Sequence, residues 1–102
     1  GGRVRLRVAR RAERQLETIA AWWAENRHAA PALFLDELDY TFRLICDAPG
    51  VGVPWPTVRR PELRRVLLPR TRYHVYFRAD KIADVVYVMA VWGAPRGRTP
   101  KL

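Results

Sequence analysis

The chain has few of the residues that build disulfide frameworks, metal centres or membrane spans. Cys46 is its only cysteine, so neither an internal disulfide nor a multi-cysteine zinc site can form. No apolar run approaches the roughly 18 residues needed to cross a bilayer, and residues 1–5 lack the apolar core of a signal peptide. Glycine-rich phosphate loops and nucleophile-elbow motifs are missing as well. These absences predict a cytoplasmic protein without membrane contact, metal or cofactor.

The length leaves room for one modest hydrophobic core. The chain has 102 residues, of which 49% are hydrophobic, and it shows no internal repeat. We therefore expect one domain over residues 1–102, with Gly1 and Gly2 resembling a cloning remnant. Cys46 lies among apolar residues and is expected to be a buried thiol.

Acidic residues and lysine are scarce, and arginine supplies nearly all the positive charge. The formal net charge is +9, and Lys81 and Lys101 are the only lysines. An excess of this size favours an anionic partner, either nucleic acid or an acidic protein. Arginine suits bidentate contacts to phosphate or carboxylate, although a codon bias would also raise its share of the basic residues.

The N-terminal half has the pattern of a strand followed by a helical hairpin. Apolar residues alternate with arginines over residues 3–8, which predicts a strand with a charged outer face. From Ala9 the apolar spacing changes to three and four, which predicts a helix ending near Asn26 with Trp23 in the core. Pro31 is expected to open a second helix that runs to Asp47. The predicted core face of that helix carries Leu35, Leu38, Phe42 and Ile45, with Phe34 at its margin.

The second helix also carries a second apolar stripe. Leu33, Tyr40 and Leu44 are seven and four residues apart and project roughly opposite the core face. The stripe predicts either single surface residues, one of them packed beneath the following loop, or a protein–protein contact.

The C-terminal half has the pattern of a loop followed by an antiparallel meander. Prolines and glycines fill residues 49–62, where Trp55 is expected to cap the core. Strands are expected over 65–68, 73–77 and 84–92, with tight turns between them. The last strand is apolar on both faces and should be interior, whereas Pro69 moves its strand towards an edge. The predicted fold is α+β: an N-terminal strand, an α-helical hairpin and a three-stranded antiparallel meander form one sheet with the hairpin on one face.

The face of the sheet left open by the hairpin is the candidate functional surface. Its outward positions could stack on bases and clamp phosphates, bind an acidic peptide, or form an ordinary solvated face. The side chains expected there are Arg64 or Arg65, Arg72, His74, Tyr76, Arg78, Trp92 and Arg96.

A metal-independent ribonuclease needs a base, an acid and cations around the phosphate. The arginines supply only the cations. His74 is the one histidine in a predicted strand, and tyrosines are the candidate acids, but a lone strand histidine is more often a packing residue.

The order of elements and several short motifs resemble the RelE/ParE superfamily of toxins. The motifs are Ala12 and Leu16 opening the long hairpin, Pro49-Gly50 closing it, the hairpin from Arg64-Arg65 to Tyr76-Phe77, and the ending Val91-Trp92-Gly93-Ala94-Pro95-Arg96. The resemblance covers Arg3 to Pro100. It implies the toxin of a type II toxin–antitoxin system, bacterial and linked to plasmid stabilisation, neutralised by a cognate acidic antitoxin.

The superfamily implies two different targets. RelE-like members cleave mRNA on the ribosome, whereas ParE-like members inhibit DNA gyrase. Trp92 stands where the closing strand of RelE-like enzymes often carries histidine, and tryptophan cannot transfer a proton. This departure and the long helical hairpin favour the ParE-like branch, a binding inhibitor without catalytic residues.

The resemblance yields three sets of candidate residues. For a ribonuclease, the catalytic set would be His74, Arg72, Arg65 and Tyr76. Contacts with the target are expected from Arg64, Arg65, Arg72, Trp92, Arg96 and Arg98. Contacts with the antitoxin are expected from Trp22, Leu33, Tyr40 and Leu44.

Overall fold

The computed structural model describes residues 4–93 and 99–102. It is an α+β fold in which a helical hairpin packs on one face of a single sheet, as the sequence predicts. The sheet is open and has five strands, one more than predicted. In chain order the elements are β1 (Arg5–Val8), α1 (Arg10–Asn26), α2 (Leu33–Asp47), β2 (Val53–Pro54), β3 (Arg64–Leu68), β4 (Tyr73–Asp80) and β5 (Val85–Gly93).

The sheet is mixed, with the strand order β1-β5-β4-β3-β2. β5 lies between β1 and β4, which confirms the interior position predicted from its apolar sequence. β1 pairs with β5 in parallel, because the hairpin carries the chain away before the meander returns, whereas β2, β3, β4 and β5 pair antiparallel. The two-residue strand β2 was not predicted, since a proline-rich loop carries no period-2 signal.

The turn after β4 starts later than predicted. β4 continues through Asp80, whereas the sequence pattern ended this strand at Phe77. The carboxylate of Asp80 accepts hydrogen bonds from the backbone N–H groups of Ile82 and Ala83, at 3.1 and 3.0 Å. With this Asx-type turn, β4 runs three residues beyond its predicted end, and β5 begins at Val85.

The second helix differs from the prediction in its start and in its buried face. It begins at Leu33 rather than at Pro31. The buried residues are Phe34, Leu38, Thr41 and Ile45, whereas Leu35, predicted as core, is 45% exposed. Three consecutive apolar residues at 33–35 allow two helical faces. The burial of Thr41 decides between them, because its hydroxyl donates to the carbonyl of Glu37 at 2.8 Å.

The core between hairpin and sheet contains Trp23, as predicted. Its indole N–H donates to the Tyr73 hydroxyl at 3.1 Å, so the polar edge of the ring is satisfied while the rest is buried. Cys46 is only half-buried, contrary to the prediction. Burial, and then the charge of Asp47, raises the pKa of its thiol.

A β-bulge in β5 decides which residues face away from the hairpin. Tyr76 pairs with Ala90 and Phe77 with Val88, so Met89 is the extra residue. Met89 and Ala90 therefore both pack against the small cluster on the open face, while the flanking Val88 and Val91 belong to the main core.

Candidate binding surface on the open face of the sheet

Two cross-strand rows form the centre of the open face. In one row Arg65, Tyr76 and Ala90 are partners across β3, β4 and β5. In the next row the partners are Leu67, His74 and Trp92. Residues in these rows project to the side opposite the hairpin because side chains alternate along each strand. The sheet thus brings Arg65, His74, Tyr76 and Trp92 together, as predicted.

Arg65 is held between two aromatic side chains. Its guanidinium carbon lies 3.6 Å from the ring centroid of Trp55, and its Nη1 donates to the Tyr76 hydroxyl at 3.4 Å. Both contacts restrict the rotamers of the Arg65 side chain. Trp55 therefore caps the small core cluster on the open face, whereas the sequence predicted only that it caps the core. A proline-rich loop gives no sign of the face on which it will fold.

His74 lies beside this pair and is half-buried. Its ring centroid is 6.1 Å from that of Tyr76. Burial lowers the pKa of His74 below its ordinary value of 6.5, and the positive charges of Arg65 and Arg72 lower it further. The imidazole is therefore neutral at physiological pH, able to accept a proton but not to donate one as an imidazolium.

Tyr76 is the tyrosine next to His74, but the residue is only 1% exposed. It packs in a small cluster with Leu63 and Ala90, against which Leu102 also packs. The hydroxyl already accepts the bond from Arg65. A substrate on this face would have to displace these neighbours before it could reach the phenol.

A second arginine–aromatic pair extends the surface towards β1. The guanidinium carbon of Arg78 lies 4.2 Å above the ring of Tyr87, and Arg7 is the partner of Tyr87 across the β1–β5 pair. Arg7 is exposed. Arg78 thus lies on the open face, as predicted, whereas the pairing of Arg7 with Tyr87 was not predicted, because only the parallel register of β1 reveals it.

Arg64 lies on the other face of the sheet. It donates to the backbone carbonyls of Gly50 at 2.7 Å, Gly52 at 3.1 Å and Val51 at 3.2 Å. These bonds anchor the loop that follows α2. Of the adjacent arginines, the structure thus assigns Arg65 to the open face and gives Arg64 a scaffold contact.

The other predicted target contacts are distributed around the edge of this surface. Arg72 is exposed in the β3–β4 turn with φ +68°, and Trp92 is half-buried against the small cluster. Arg96 and Arg98 lie outside the described residues.

The predicted antitoxin contacts differ in accessibility. Tyr40 is 66% exposed, and Trp22 is 45% exposed with the Arg27 guanidinium 5.3 Å from its ring. Leu44 is half-buried, and Leu33 packs against the main core, so the stripe is not uniformly open.

Chemistry that depends on clustered ligands has no support in the described residues. Over 4–93 and 99–102, no three His, Cys, Asp or Glu side chains come close enough to hold a metal ion. Over the same ranges, no helix combines the length and apolar character of a membrane span.

Comparison with known proteins places the chain in a family. Residues 6–96 match the model of the ParE toxin of the type II toxin–antitoxin system parDE. The chain belongs to the ParE toxin family. It is therefore a type II toxin of the RelE/ParE superfamily, as its sequence motifs indicated.

Solved structures share the fold of this ParE-family toxin at low sequence identity. The RelBE2 toxin–antitoxin complex from Mycobacterium tuberculosis matches with a TM-score of 0.65 and 17% identity, over 90% of this chain and 99% of that chain. The chromosomal ParDE toxin–antitoxin system from P. aeruginosa matches with a TM-score of 0.66 and 16% identity, over 88% and 95%. None of the curated protein sequences matches the chain significantly.

Both named branches of the superfamily thus share the architecture of this ParE-family toxin. Fold alone does not select the target, because one scaffold carries different activities. The side chains on the open face have to supply that distinction.

Proposed function

We propose that this ParE-family toxin inhibits DNA gyrase as a binding protein and performs no phosphodiester cleavage. The observation that carries the proposal is the burial of Tyr76, the tyrosine beside His74. RNA cleavage needs an acid at the leaving oxygen as well as a base. His74 could be the base, but the neighbouring phenol of Tyr76 is too buried to act as the acid. The arginines that surround it can bind charge but cannot move a proton.

The contact with gyrase is assigned to the edge of the open face. Arg72 is exposed there, and Arg65 and Trp92 lie in the adjoining rows. Arg96 and Arg98 remain proposed contacts, since they follow β5 along the chain. Arg64 drops out of the proposed set, because its guanidinium is committed to three loop carbonyls.

Supercoiling by purified gyrase tests the proposal directly. The full chain is expected to inhibit supercoiling, and Arg72→Ala is expected to raise the half-inhibitory concentration about tenfold, the loss expected for an interfacial arginine. Arg43→Ala is the matched control, because Arg43 is an exposed arginine on α2 that pairs with Asp39 and belongs to no strand of the sheet. His74→Gln is expected to leave inhibition unchanged.

A second candidate function, ribosome-dependent mRNA cleavage, is favoured by the environment of His74. The neutral imidazole of His74 could act as a general base. Arg65 and Arg72 are close enough to lower its pKa, and they would supply the cations that bind phosphate. Under this alternative, mRNA is cut on the ribosome and His74→Gln abolishes the cut. Cleaved mRNA together with unaffected supercoiling would contradict the gyrase proposal.

We also propose that a cognate acidic antitoxin covers the exposed apolar residues of the hairpin, Trp22 and Tyr40, with Leu33 and Leu44 at the margin. Aromatic residues that are half exposed or more are typical anchors of protein interfaces. The structural relatives are themselves toxin–antitoxin complexes, which supports a partner of this kind.

The hairpin contact is tested by introducing a charge at Tyr40. Tyr40→Asp is expected to weaken antitoxin binding about tenfold or more by calorimetry, since a carboxylate would be buried in an apolar contact. Ile82→Asp is the control, because Ile82 is an exposed apolar residue outside the hairpin, 99% exposed in the β4–β5 turn. Equal affinities for the two variants would place the antitoxin elsewhere.

A further inference from the structure

A cleft outside the open-face cluster runs between α1 and the neighbouring ends of β4 and β5. Its volume is about 550 Å³, within the range of small-molecule sites. One wall is a stripe of α1 that includes Arg11, Arg14 and Trp22, and the other includes Arg72 and Trp92. The lining residues of α1 are three, four or seven residues apart along the helix, so they share one helix face.

The charge of the cleft has one sign. Three arginines line it, and no aspartate or glutamate is among the described lining residues. Arg11 gives one donor to the backbone carbonyl of Lys101, which leaves other N–H groups of its five-donor fork. Arg14 and Arg72 are exposed. Guanidinium groups that line one cleft without a carboxylate are suited to phosphate, which they bind bidentately.

The remaining lining suits a planar apolar group. Trp22 presents an indole that is 45% exposed, and Trp92 and Tyr73 contribute aromatic surface on the opposite wall. Aromatic side chains of this kind stack on nucleobases. An inorganic anion would contact the arginines but not the aromatic side chains of the cleft.

An added peptide strand fits the cleft less well. β1 covers β5 only as far as Val88, so the edge of β5 beyond it could accept another strand. The backbone N–H of Val91 instead donates to Oε1 of Gln15 at 2.8 Å. A peptide pairing with that edge would have to break this bond, whereas a ligand held by side chains would not.

We propose that the cleft binds a free nucleoside diphosphate or triphosphate. Its phosphates would lie between Arg14 and Arg72, near Arg11, and its base would stack on Trp22. Arg14 and Trp22 are eight residues apart on α1, about 12 Å along the helix axis. A nucleotide with more than one phosphate spans this separation, which favours di- and triphosphates over the monophosphate. The cleft shares Arg72 and Trp92 with the proposed gyrase contact, yet nucleotide binding does not require that the chain inhibits gyrase.

Titration of the full chain with ADP tests the site. Calorimetry and tryptophan fluorescence are expected to show saturable binding, with AMP weaker than ADP and inorganic phosphate weaker than both. Arg14→Ala is expected to weaken ADP binding about tenfold, as the loss of a bidentate contact should. Trp22→Leu is expected to weaken ADP binding but not phosphate binding.

Arg10→Ala separates a built site from general attraction to a basic protein. Arg10 is an exposed arginine on the same helix, outside the cleft lining, and its loss changes the net charge equally. ADP affinity is expected to stay within about twofold of the unsubstituted chain. Circular dichroism melting curves confirm that each variant is folded.

Four results would overturn the proposal. They are absence of ADP binding below about 1 mM, equal losses in Arg10→Ala and Arg14→Ala, equal affinity for phosphate and ADP, and tighter binding of a thymidylate single strand or an acidic peptide than of ADP. The last result would assign the cleft to a nucleic acid or a protein.

Discussion

Neighbouring arginines in this toxin perform different tasks according to the direction in which the strand presents them. Arg64 and Arg65 are adjacent in sequence, yet one donates to loop carbonyls on the hairpin side and the other stacks on Trp55 on the open side. The period of two along a strand separates them. A count of arginines therefore overstates the positive charge available to a partner on either face.

His74 is the residue whose chemistry depends most on this arrangement. Because burial and the charges of Arg65 and Arg72 lower its folded-state pKa, the unfolded chain binds a proton more readily near pH 6.5. The free energy of unfolding is then expected to fall as the pH drops from 6.5 towards the folded-state pKa. Well above pH 6.5 both the folded and the unfolded chain hold a neutral imidazole, and this destabilisation is absent.

NMR titration of the His74 ring, combined with denaturation at several pH values, checks this sign. Arg65→Gln is expected to raise the pKa of His74, because it removes a nearby positive charge. His74→Gln is expected to remove the residue's share of the pH dependence below 6.5. A pKa at or above 6.5 in the unsubstituted chain would contradict the expectation.

Among the larger elements, the turn between β3 and β4 depends on a side chain from α2. Both carboxylate oxygens of Glu37 accept hydrogen bonds from this turn: one from the Arg70 N–H at 2.8 Å, the other from the N–H and hydroxyl of Thr71 at 2.9 and 2.7 Å. The same turn presents Arg72 in a left-handed conformation. Helix α2 therefore helps to position Arg72 by holding the β3–β4 turn in which it lies.

Glu37→Ala is expected to lower the free energy of unfolding by about 2–4 kcal/mol, since the two donors of the buried Thr71 and the exposed Arg70 N–H lose a charged acceptor. Glu17→Ala, at an exposed position on α1, is the control and is expected to change stability by about 0.5 kcal/mol at most. Chemical denaturation monitored by tryptophan fluorescence measures both. Equal stabilities would show that the turn holds its shape without α2.

The short strand β2 depends on a glycine. Gly52 has φ +80°, and a Cβ placed on it would lie 2.2 Å from the backbone oxygen of Arg65. Gly52→Ala is expected to cost about 2–4 kcal/mol, because neither the backbone conformation nor the neighbouring strand can yield cheaply.

Gly50 provides the matched comparison for this loop. A Cβ at Gly50 meets no atom within 4 Å, so Gly50→Ala is expected to change stability by about 0.5 kcal/mol or less. Urea denaturation of the pair measures the difference. Similar losses in both variants would argue that loop flexibility, and not the contact with β3, controls stability here.

The molecule as a whole carries a net charge of +9, and arginines lie on its helices, sheet and turns. Attraction to an acidic antitoxin should therefore act before contact and be screened by salt. Raising NaCl from about 0.05 M to about 0.5 M is expected to slow association about tenfold, with a smaller change in dissociation. Stopped-flow measurement tests this, and an on-rate independent of salt would contradict electrostatic steering.

Periodicity and composition were sufficient for the order and type of the main elements. The change from a spacing of two to one of three and four located β1 and α1, and the apolar run of β5 predicted its interior place. These features depend on local hydrophobic patterning, which a linear sequence displays. The motifs of the ending and the hairpin were also sufficient to indicate the toxin superfamily.

Only the tertiary structure decided which side chains meet. The buried face of α2 contains Phe34 and Thr41 and not the predicted Leu35. Trp55 packs against Arg65 on the open face. The bulge at Met89 places two successive residues on that face. Each outcome depends on contacts between residues far apart in the chain, which spacing does not encode. The sequence alone was enough to show where the arginines, His74 and Tyr76 stand along the strands. Packing decided that Tyr76 is buried, because Leu63 and Leu102 approach it from elsewhere in the chain.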